Sequence, residues 1–533
     1  MTTSKLKKYK FNEKLILKVK ILLKKSLNKL TPELNYLHKY NFDQKQWELL
    51  LGQWIFSFTK IFFRIYFSEK TVKIKKNDKL IIPKNSYEDF INLISKNRWE
   101  DSIKNQILNH KKNKKLYISK AEIFENENKI NYFKILLIKL HNQICSLFKC
   151  YFSKKKIFIH NTYLGRINEI LLQLKFKELP IIFFKYPNYI CNYNILVREQ
   201  IIKKISKNEN KFHKLYFKTL IYNMPLNFVE GFKIIDDFLK KSFLPNKLKF
   251  VFNSNEIIVD DYFKLWIAKQ KKNCKIILSQ HGLNYQITTE HSPQSGTTET
   301  SYVDKIFVWG NKKKNKKYEN MFMIPKRKFI VKNKKNLILV MNQSAPNYHY
   351  FDNTSYFLKS FEINKFLNSI DENIKKLLII RLHKNNFPPY KTNKIINLIN
   401  QNSKNKKLNI DKGKKKMTDL VTNSKLLVFS YPSSGFLEAL SQNIPTILVW
   451  KNFKYECTNS AKNDFLKLVK LKLMFFEEKE LSKFINQNWN IIDDWWNKIK
   501  KQKNISIFKY KYCVFENDQF LRVYNKLKLV TKN

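Results

Sequence analysis

Glycine is scarce in this chain, with only eight occurrences in 533 residues. A chain so poor in glycine is expected to keep it where the backbone needs a positive φ angle or approaches another group closely. Three of the eight, Gly282, Gly310 and Gly435, follow directly on apolar runs or on the turns that end them. These positions are therefore the first candidates for turns with a specific role.

Cysteine and histidine do not form the spacings of the common metal sites. The six cysteines contain no CxxC pair, the nine histidines contain no HExxH motif, and cysteines without such pairing fit a reducing cytoplasm. Residues 1–15 show no apolar core of signal-peptide type, and the most apolar stretch, Ile55–Phe67, is interrupted by Lys60 and Arg64. We expect a cytoplasmic protein with no metal and no bound cofactor.

Acidic residues are outnumbered, with 43 Asp and Glu against 102 Lys and Arg, a formal net charge of +59. A basic nucleic-acid-binding protein is one interpretation of this balance. However, the lysines accompany many Asn, Ile, Phe and Tyr residues along the whole chain, as an adenine- and thymine-rich coding bias would produce, and no nucleic-acid-binding motif is present. We expect no specific nucleic acid partner, although a positive surface favours peripheral contact with the anionic inner face of a membrane.

Apolar runs alternate with amphipathic segments after about residue 150, which is typical of α/β folds with parallel sheets. The first part of the chain has a helical pattern instead, and Leu34–Phe67 is apolar on nearly all sides, as expected for a buried helix. Strands are predicted at Lys156–His160, Pro180–Phe184, Lys249–Asn253, Lys275–Ser279, Lys305–Trp309, Leu337–Met341, Leu377–Leu382 and Lys407–Ile410, and a strand–helix–strand unit at Leu426–Trp450.

Two successive α/β halves of similar length predict two Rossmann-like domains that face each other across a cleft. The lysine-rich stretch Asn311–Lys317 is the best linker candidate. The predicted division of the chain is 1–120 for an amino-terminal helical region that packs on the first domain, 121–315 for the first domain, 316–478 for the second domain and 479–533 for a carboxyl-terminal helical segment. Ligands of such sheets bind outside the carboxyl ends of the strands.

The turn inside the strand–helix–strand unit holds two hydroxyls and a glycine, Ser433, Ser434 and Gly435. Backbone N–H groups at the start of the following helix, together with the helix dipole, favour an anion at this turn. Glu438 follows one turn later on the same side as Ser434, so a phosphate and a neighbouring hydroxylated ring could be held together. The alternative is an ordinary helix start without a ligand.

Two further polar groups follow apolar strands. Gln280, His281 and Gly282 follow CKIILS, and an imidazole there could accept the proton of an attacking hydroxyl, since its ordinary pKa of about 6.5 suits a general base. Arg381 and His383 follow KLLII and alternate with a leucine, so an extended backbone points both toward one face, where they could bind phosphate oxygens. The alternatives are a structural histidine and a strand-end arginine paired with an acidic neighbour.

The segments QHG, RLH and YPSSGFLEALSQNIPTI, in this order and spacing, resemble the GT-B-type transferases of bacterial surface-carbohydrate biosynthesis. That group includes the CDP-glycerol glycerophosphotransferases and the capsule Kdo transferases. The similarity extends to LNYLHKYNFDQKQWELLLGQWI, to YVDKIFVWGN and to the region ending at Trp496, so it covers most of the chain. The chain departs from the family pattern at 283–286, after QHG, and at Lys384, where a proline is usual.

The resemblance implies a role for each matching residue. His281 would be the catalytic base on the acceptor side, which is the first domain, and Glu438 would hold the ribose on the nucleotide-donor side, which is the second. Gln280 and Gly282 would be further cleft residues. Donor-phosphate binding would fall to Arg381, His383, Ser433, Ser434 and Gly435.

The expected function is transfer of a sugar or alditol-phosphate group from a nucleotide-activated donor, as a substrate, to a surface-polysaccharide or glycolipid acceptor such as capsule or lipopolysaccharide. The resemblance implies that cationic side chains and helix dipoles replace a metal. The alternatives are a GT-B-like sugar-nucleotide epimerase, which needs further carboxylates in the cleft, and the non-enzymatic nucleic-acid-binding protein.

Overall fold

The computed structural model describes most of the chain, with gaps. The described residues are 13–67, 77–94, 97–111, 117–124, 132–181, 189–270, 274–283, 285, 287–288, 302–310, 317–321, 328–341, 361–382, 396–397, 399–400, 408–516 and 519–532. The predicted linker Asn311–Lys317, apart from its last residue, and most of the predicted strand Pro180–Phe184 lie outside them.

The amino-terminal region combines helices with a small sheet. Its elements are α1 (Glu13–His38), α2 (Gln44–Tyr66), β1 (Asn77–Pro83), α3 (Glu88–Ile94), α4 (Asn97–Lys111) and β2 (Tyr117–Phe124). Strands β1 and β2 pair in parallel, so the predicted helical region over 1–120 also contains a small sheet. Strand β1 has only three or four apolar residues between lysine-rich flanks, so its own sequence does not stand out as a strand. Its partner strand begins 34 residues after Pro83, and local periodicity cannot predict a pairing over that distance.

Helix α2 forms the centre of this region. Asp43 caps it by accepting a hydrogen bond from the Gln46 N–H, and the Gln46 side chain accepts one from the Asp43 N–H, which makes a complete capping box. Trp47, Trp54 and Phe62 are all buried, which confirms the prediction of a buried helix. None of the described helices is long and apolar enough to cross a membrane.

The first large sheet has five parallel strands in the order β3-β4-β5-β6-β7. The strands are β3 (Ile157–Ile159), β4 (Phe250–Asn253), β5 (Lys275–Ser279), β6 (Lys305–Trp309) and β7 (Tyr318–Met321). Their side chains are almost all buried except in β7, as expected for a parallel sheet covered on both faces. The accompanying helices are α5 (Tyr132–Leu147), α6 (Lys149–Phe152), α7 (Arg166–Lys175), α8 (Ile195–Ile205), α9 (Lys211–Tyr222), α10 (Phe232–Lys241), α11 (Glu256–Val259) and α12 (Asp261–Gln270).

The second sheet has six parallel strands in the order β10-β9-β8-β11-β12-β13. The strands are β8 (Asn336–Val340), β9 (Leu378–Arg381), β10 (Asn409–Asp411), β11 (Ser424–Phe429), β12 (Thr446–Val449) and β13 (Met474–Phe475). Counted within this sheet, the order is 3-2-1-4-5-6, that of dinucleotide-binding folds. The order reverses between β8 and β11, and that point is where such sheets bind their ligands.

The helices of the second half end with one that returns to the first. They are Ile363–Ser369, Glu372–Lys375, Met417–Thr422, Ser434–Ser441, Phe453–Glu456, Asn459–Lys470, Glu478–Asn488, Ile492–Ile499, Lys503–Tyr512 and Gln519–Lys532. In the last of these, Val523 and Leu527 pack in a core with residues of β3, β4, β5 and β6. Gly310, at the end of β6, contacts the chain just before this last helix. Its φ is +81°, and a Cβ atom at this position would lie 2.3 Å from backbone atoms of Lys511, so only glycine allows the close approach.

The two halves therefore do not divide at the predicted positions. Strand β7 lies beyond 315 but pairs with β6 in the first sheet, and the helix Gln519–Lys532 belongs with that sheet as well. The predicted α/β fold with two parallel sheets is confirmed, whereas β7 lies beyond the predicted limit at 315.

Candidate active site

The turn after β5 is held in place by Gln280. This side chain is buried; its Nε2 donates to the Gly282 carbonyl over 2.8 Å, and its Oε1 accepts from the Trp309 N–H over 2.8 Å. The same residue continues the strand pairing by donating its own N–H to the Phe307 carbonyl over 2.8 Å. Gln280 thus fixes the ends of β5 and β6 relative to each other, and its side chain is committed to protein contacts rather than to the cleft.

The turn after β5 meets the turn after β11 directly. The Leu283 N–H donates a hydrogen bond to the Ser434 hydroxyl over 3.1 Å. A second link follows a few residues later, where the Thr458 N–H donates to the Ile287 carbonyl over 2.9 Å. Leu283 and Ile287 are buried in the core of the second half. The carboxyl ends of the two sheets therefore face each other, as the sequence predicts.

His281 lies at this junction with an aromatic neighbour on each side. Its Nδ1 is 3.1 Å from the Tyr285 hydroxyl, and the two rings meet edge to face at 5.5 Å. The Tyr163 ring, from the loop after β3, lies 6.4 Å from the imidazole. If Nδ1 donates to Tyr285, then Nε2 carries the lone pair that a general base needs.

The helix Ser434–Ser441 starts beside this junction. Ser433 is its N-cap and accepts from the Phe436 N–H over 3.3 Å, as expected for a serine at a helix start. Burial raises the pKa of Tyr431 to about 12, while its hydrogen bond with Ser433 acts in the opposite direction. The Ser433 hydroxyl is thus engaged by two protein groups, and the N–H groups of Ser434 and Gly435 lie in the first turn, where the helix itself offers them no acceptor.

Packing requires a glycine at position 435, in addition to the predicted role of Gly435 in phosphate binding. A Cβ atom at this position would lie 2.8 Å from Cε1 of Phe429, the last residue of β11. The glycine therefore allows the helix to start directly against the strand that precedes it. Glu438 lies one turn further, half-buried, on the Ser434 side of the helix.

Arg381 is a strand-end arginine paired with an acidic neighbour, which is the alternative that the sequence left open to phosphate binding. It ends β9 in register with Asp411 on β10, and its Nη1 donates to Asp411 Oδ2. The side chains are 13% and 5% exposed, and Asp411 also accepts from the Lys414 N–H over 3.1 Å. Much of the guanidinium charge is therefore already balanced. His383 lies outside the described residues, so its predicted role stays a prediction.

A polar cluster that the sequence did not reveal lies at the ends of β3 and β4. His160 Nδ1 is 3.3 Å from Arg166 Nη1, its Nε2 is 4.0 Å from Glu256 Oε1, and the Asn161 amide donates to that carboxylate over 2.7 Å. Burial and the Arg166 charge lower the pKa of His160 to about 3, and burial raises the pKa of Glu256 above its usual range. Tyr163 connects this cluster to the His281 ring.

The only local signal for this cluster is the position of His160 at the end of an apolar strand. Helix α7 begins only at Arg166, with Gly165 as its N-cap. Asn161 adopts a positive φ of 51° and turns its amide toward Glu256. Glu256 lies 95 residues further along the chain, too far for a sequence pattern to connect the two.

The described residues contain no group of three His, Cys, Asp or Glu side chains that could hold a metal ion. Asp261, at the start of α12, accepts from the Ser86 N–H, from Asn227 and from Lys264 over 2.8, 2.8 and 3.2 Å. Its position is that of a buried structural acid. The expectation of metal-independent chemistry stays a prediction.

Two parallel α/β sheets that meet at the carboxyl ends of their strands, with polar side chains at the junction, define a GT-B-like fold. The chain belongs to the LIC12162 family of transferases, whose family profile matches residues 1–527. This membership confirms the resemblance to a transferase family that the three motifs indicate. No curated protein matches the sequence significantly.

Two solved structures show distant similarity. One is a crystal structure of accessory secretory protein 1, 2 and 3 in Streptococcus pneumoniae, with 12% identity and a TM-score of 0.30 over 57% of this chain and 58% of that chain, a little over half its length. The other is MurG of Acinetobacter baumannii, with 8% identity and a TM-score of 0.33 over 85% of this chain and 100% of that chain. TM-scores this low do not define a function.

Proposed function

We propose that this transferase moves a sugar or alditol-phosphate group from a nucleotide-activated donor to a carbohydrate or glycolipid acceptor of the cell surface. The observation that carries the proposal is the hydrogen bond between the Leu283 N–H and the Ser434 hydroxyl. It brings a candidate base, His281, next to a helix start that favours anions. Acid–base and anion-binding functions are the two that a group transfer from a diphosphate needs.

In the proposed step, the acceptor hydroxyl gives its proton to Nε2 of His281 as its oxygen attacks the donor. The new bond forms to the sugar carbon or to the alditol-bearing phosphorus. The bond from that atom to the phosphate oxygen of the nucleotide breaks, and the electron pair leaves with the nucleotide. Tyr285 stabilises the charged imidazole only weakly, since its hydroxyl is neutral, and mainly fixes the ring orientation.

The negative charge that develops on the departing nucleotide needs positive partial charges. The first N–H groups of the helix Ser434–Ser441 and the Ser434 hydroxyl supply them in this proposal. Arg381 contributes less than the family resemblance implies, because Asp411 already neutralises part of its charge. His383 and Glu438 retain the predicted contacts with the donor phosphate and ribose. The step as written uses no metal ion and no bound cofactor.

A thermal-shift screen identifies the donor class. The protein is heated with CMP, CDP, UDP, GDP and their sugar or glycerol conjugates, in parallel with Glu438→Ala and with Glu480→Ala, an exposed glutamate on a remote helix, as matched control. A bound ligand stabilises the native state by RT ln(1 + [L]/Kd), about 2.7 kcal/mol at a hundred times Kd. We expect one nucleotide to raise the melting temperature of wild type and of the control, but not of Glu438→Ala.

The transfer itself is tested with the donor so identified. His281→Ala is expected to keep the nucleotide-induced shift and to lower kcat by about 10²- to 10⁴-fold, because only the acid–base contribution is lost. The proposal is wrong if no nucleotide shifts the melting temperature while single-stranded RNA binds tightly at about 0.2 M salt. That result would favour the nucleic-acid-binding alternative.

A further inference from the structure

One side of α5 and α6 is an exposed apolar stripe. Its large side chains recur every three or four residues, which places them on one face of the helix. They are exposed by 46% to 82%, in a protein whose other large apolar residues are mostly buried. The stripe consists of Leu136, Leu140, Ile144, Leu147, Phe148 and Tyr151.

Helix α7 carries a second stripe of the same kind. Ile167, Leu171 and Leu174 are 75%, 45% and 47% exposed, whereas Leu172, on the opposite side, is fully buried in the core beneath β3. The chain just after α6 contacts the carboxyl end of α7 through buried side chains. Lys155, just after α6, donates to the Gln173 side chain near the end of α7 over 3.0 Å.

Most of the charges around both stripes are positive; Glu178, after α7, is an exception and accepts from the Lys156 N–H over 2.9 Å. Residues 132–156 contain six lysines and neither aspartate nor glutamate, and Lys149, Lys154 and Lys156 are exposed. The one acid of α7, Glu169, is buried and accepts hydrogen bonds from the Thr162 N–H and hydroxyl over 2.6 and 3.0 Å. A partner of this surface must therefore offer apolar area and negative charge together.

We propose that this face, formed by α5, α6 and α7, binds the surface of an anionic phospholipid bilayer. Helices with an apolar side and flanking lysines lie in the interface between head groups and acyl chains, and both contributions add. A protein partner or a second copy of this chain would need an acidic apolar surface, and this strongly basic chain does not favour one. Exposed apolar stripes of this kind indicate an interaction site.

The location of α7 connects this surface to the site. Arg166, the first residue of α7, is 3.3 Å from His160, and Ile167 of the stripe follows it. The loop before α7 carries Tyr163 to the His281 ring. A bilayer against α7 would thus present the head group of a lipid-linked acceptor at the edge of the site. This last step rests on the proposed function, whereas bilayer binding does not.

The test is sedimentation of the full chain with vesicles of phosphatidylcholine, alone or with about 30% phosphatidylglycerol. The variant carries Leu136→Gln, Leu140→Gln and Ile144→Gln. Its matched control carries Leu17→Gln, Ile330→Gln and Ile491→Gln, at positions that are 59%, 56% and 51% exposed elsewhere on the molecule. All six positions are exposed, so the fold and the melting temperature should be retained.

We expect the wild type and the control to bind the anionic vesicles and the stripe variant to bind them at least about tenfold more weakly. Equal binding of variant and control would overturn the proposal, because lysine charge alone would then explain the association. If the wild type bound neutral and anionic vesicles equally, the claim that the surface selects anionic lipid would be overturned. Self-association that the variant alone loses, without any effect of lipid, would assign the surface to a second copy instead.

His281→Ala separates this inference from the transfer chemistry. It is expected to bind vesicles like the wild type whether or not it transfers a group. Failure of vesicle binding with intact transfer refutes the membrane surface alone. Failure of transfer by the wild type, with its vesicle binding intact, refutes the proposed function alone.

Discussion

The Leu283 N–H and the Ser434 hydroxyl, 151 residues apart in the chain, are 3.1 Å apart in the structure. This hydrogen bond joins the turn after β5 of one sheet to the first residue of the helix after β11 of the other. It lies at the strand-order reversal of the second sheet, where doubly wound folds bind their ligands. The candidate base and the anion-favouring helix start are adjacent because of this contact.

Ser434→Ala tests the contact. Removal of the hydroxyl leaves the Leu283 N–H without this acceptor, and a hydrogen bond of this kind is worth about 0.5–1.5 kcal/mol. We expect the free energy of unfolding in urea to fall by that amount and donor affinity to fall as well. Ser441→Ala is the matched control, since its hydroxyl donates to the Glu438 carbonyl in the same helix over 2.8 Å. It should cost stability without an effect on donor affinity, and equal affinity losses for the two would contradict the assignment.

Gly435→Ala is expected to destabilise the protein. The new Cβ atom would lie 2.8 Å from the Phe429 ring, and overpacking costs about 1–3 kcal/mol, more than the gain in helix propensity of at most about 1 kcal/mol. Gly282→Ala is the control, because its nearest atom, Ser434 Oγ, would be 3.9 Å away. Urea denaturation measures the free energy of unfolding of both variants and of the double variant Gly435→Ala with Phe429→Leu. If the Phe429 ring is the obstacle, the double variant recovers part of the loss. No recovery in the double variant would show that the ring is not the obstacle.

Arg381 and Asp411 are expected to act as a buried pair. Asp411→Leu alone leaves a nearly buried guanidinium without its counter-charge, at a cost of about 3–5 kcal/mol. Arg381→Leu with Asp411→Leu removes both charges and should be clearly more stable than either single variant. A double-mutant cycle in urea measures the coupling energy. If the donor affinity of Arg381→Leu falls far more than its stability explains, the arginine also binds phosphate.

Two histidines, the half-buried His38 and the buried His160, are expected to make stability depend on pH. Burial lowers the pKa of His38 to about 4, and burial with the Arg166 charge lowers that of His160 to about 3, both below the ordinary value of about 6.5. As the pH falls below about 6.5, these two histidines therefore become protonated in the unfolded chain but stay neutral in the native state. Stability is fully present above that pH and decreases toward pH 4, by up to about 1.4 kcal/mol per pH unit for each histidine.

Melting temperatures between pH 7.5 and pH 4.5 measure this effect. His38→Gln is expected to flatten the profile of the wild type, because a neutral amide replaces one of the two imidazoles. The exposed Lys501→Gln should leave the shape of the profile unchanged. A His38→Gln profile as steep as that of the wild type would show that other groups cause the acid loss.

Much of the fold follows from local sequence patterns. Buried parallel strands consist of continuous apolar residues, so β4, β5, β6, β8, β9, β11 and β12 are recognisable from runs such as FVFN and KLLVF. Ser433 is a side chain that commonly caps helices, and it caps one here. Strands β1, β7 and β13 escape prediction, because short or mixed segments become strands only when a neighbouring strand supplies their hydrogen bonds.

The sequence by itself therefore determined the alternation of elements, the burial of α2 and the helix start at Ser434, each of which depends on residues within one or two turns. Only the tertiary structure decided that Asp411 neutralises Arg381, that Glu256 meets His160 and that Ser434 meets Leu283. These partners are brought together by the order of strands in a sheet and by the packing of one sheet against the other. Neither is encoded in local periodicity, because the contacts depend on how distant segments fill the same volume.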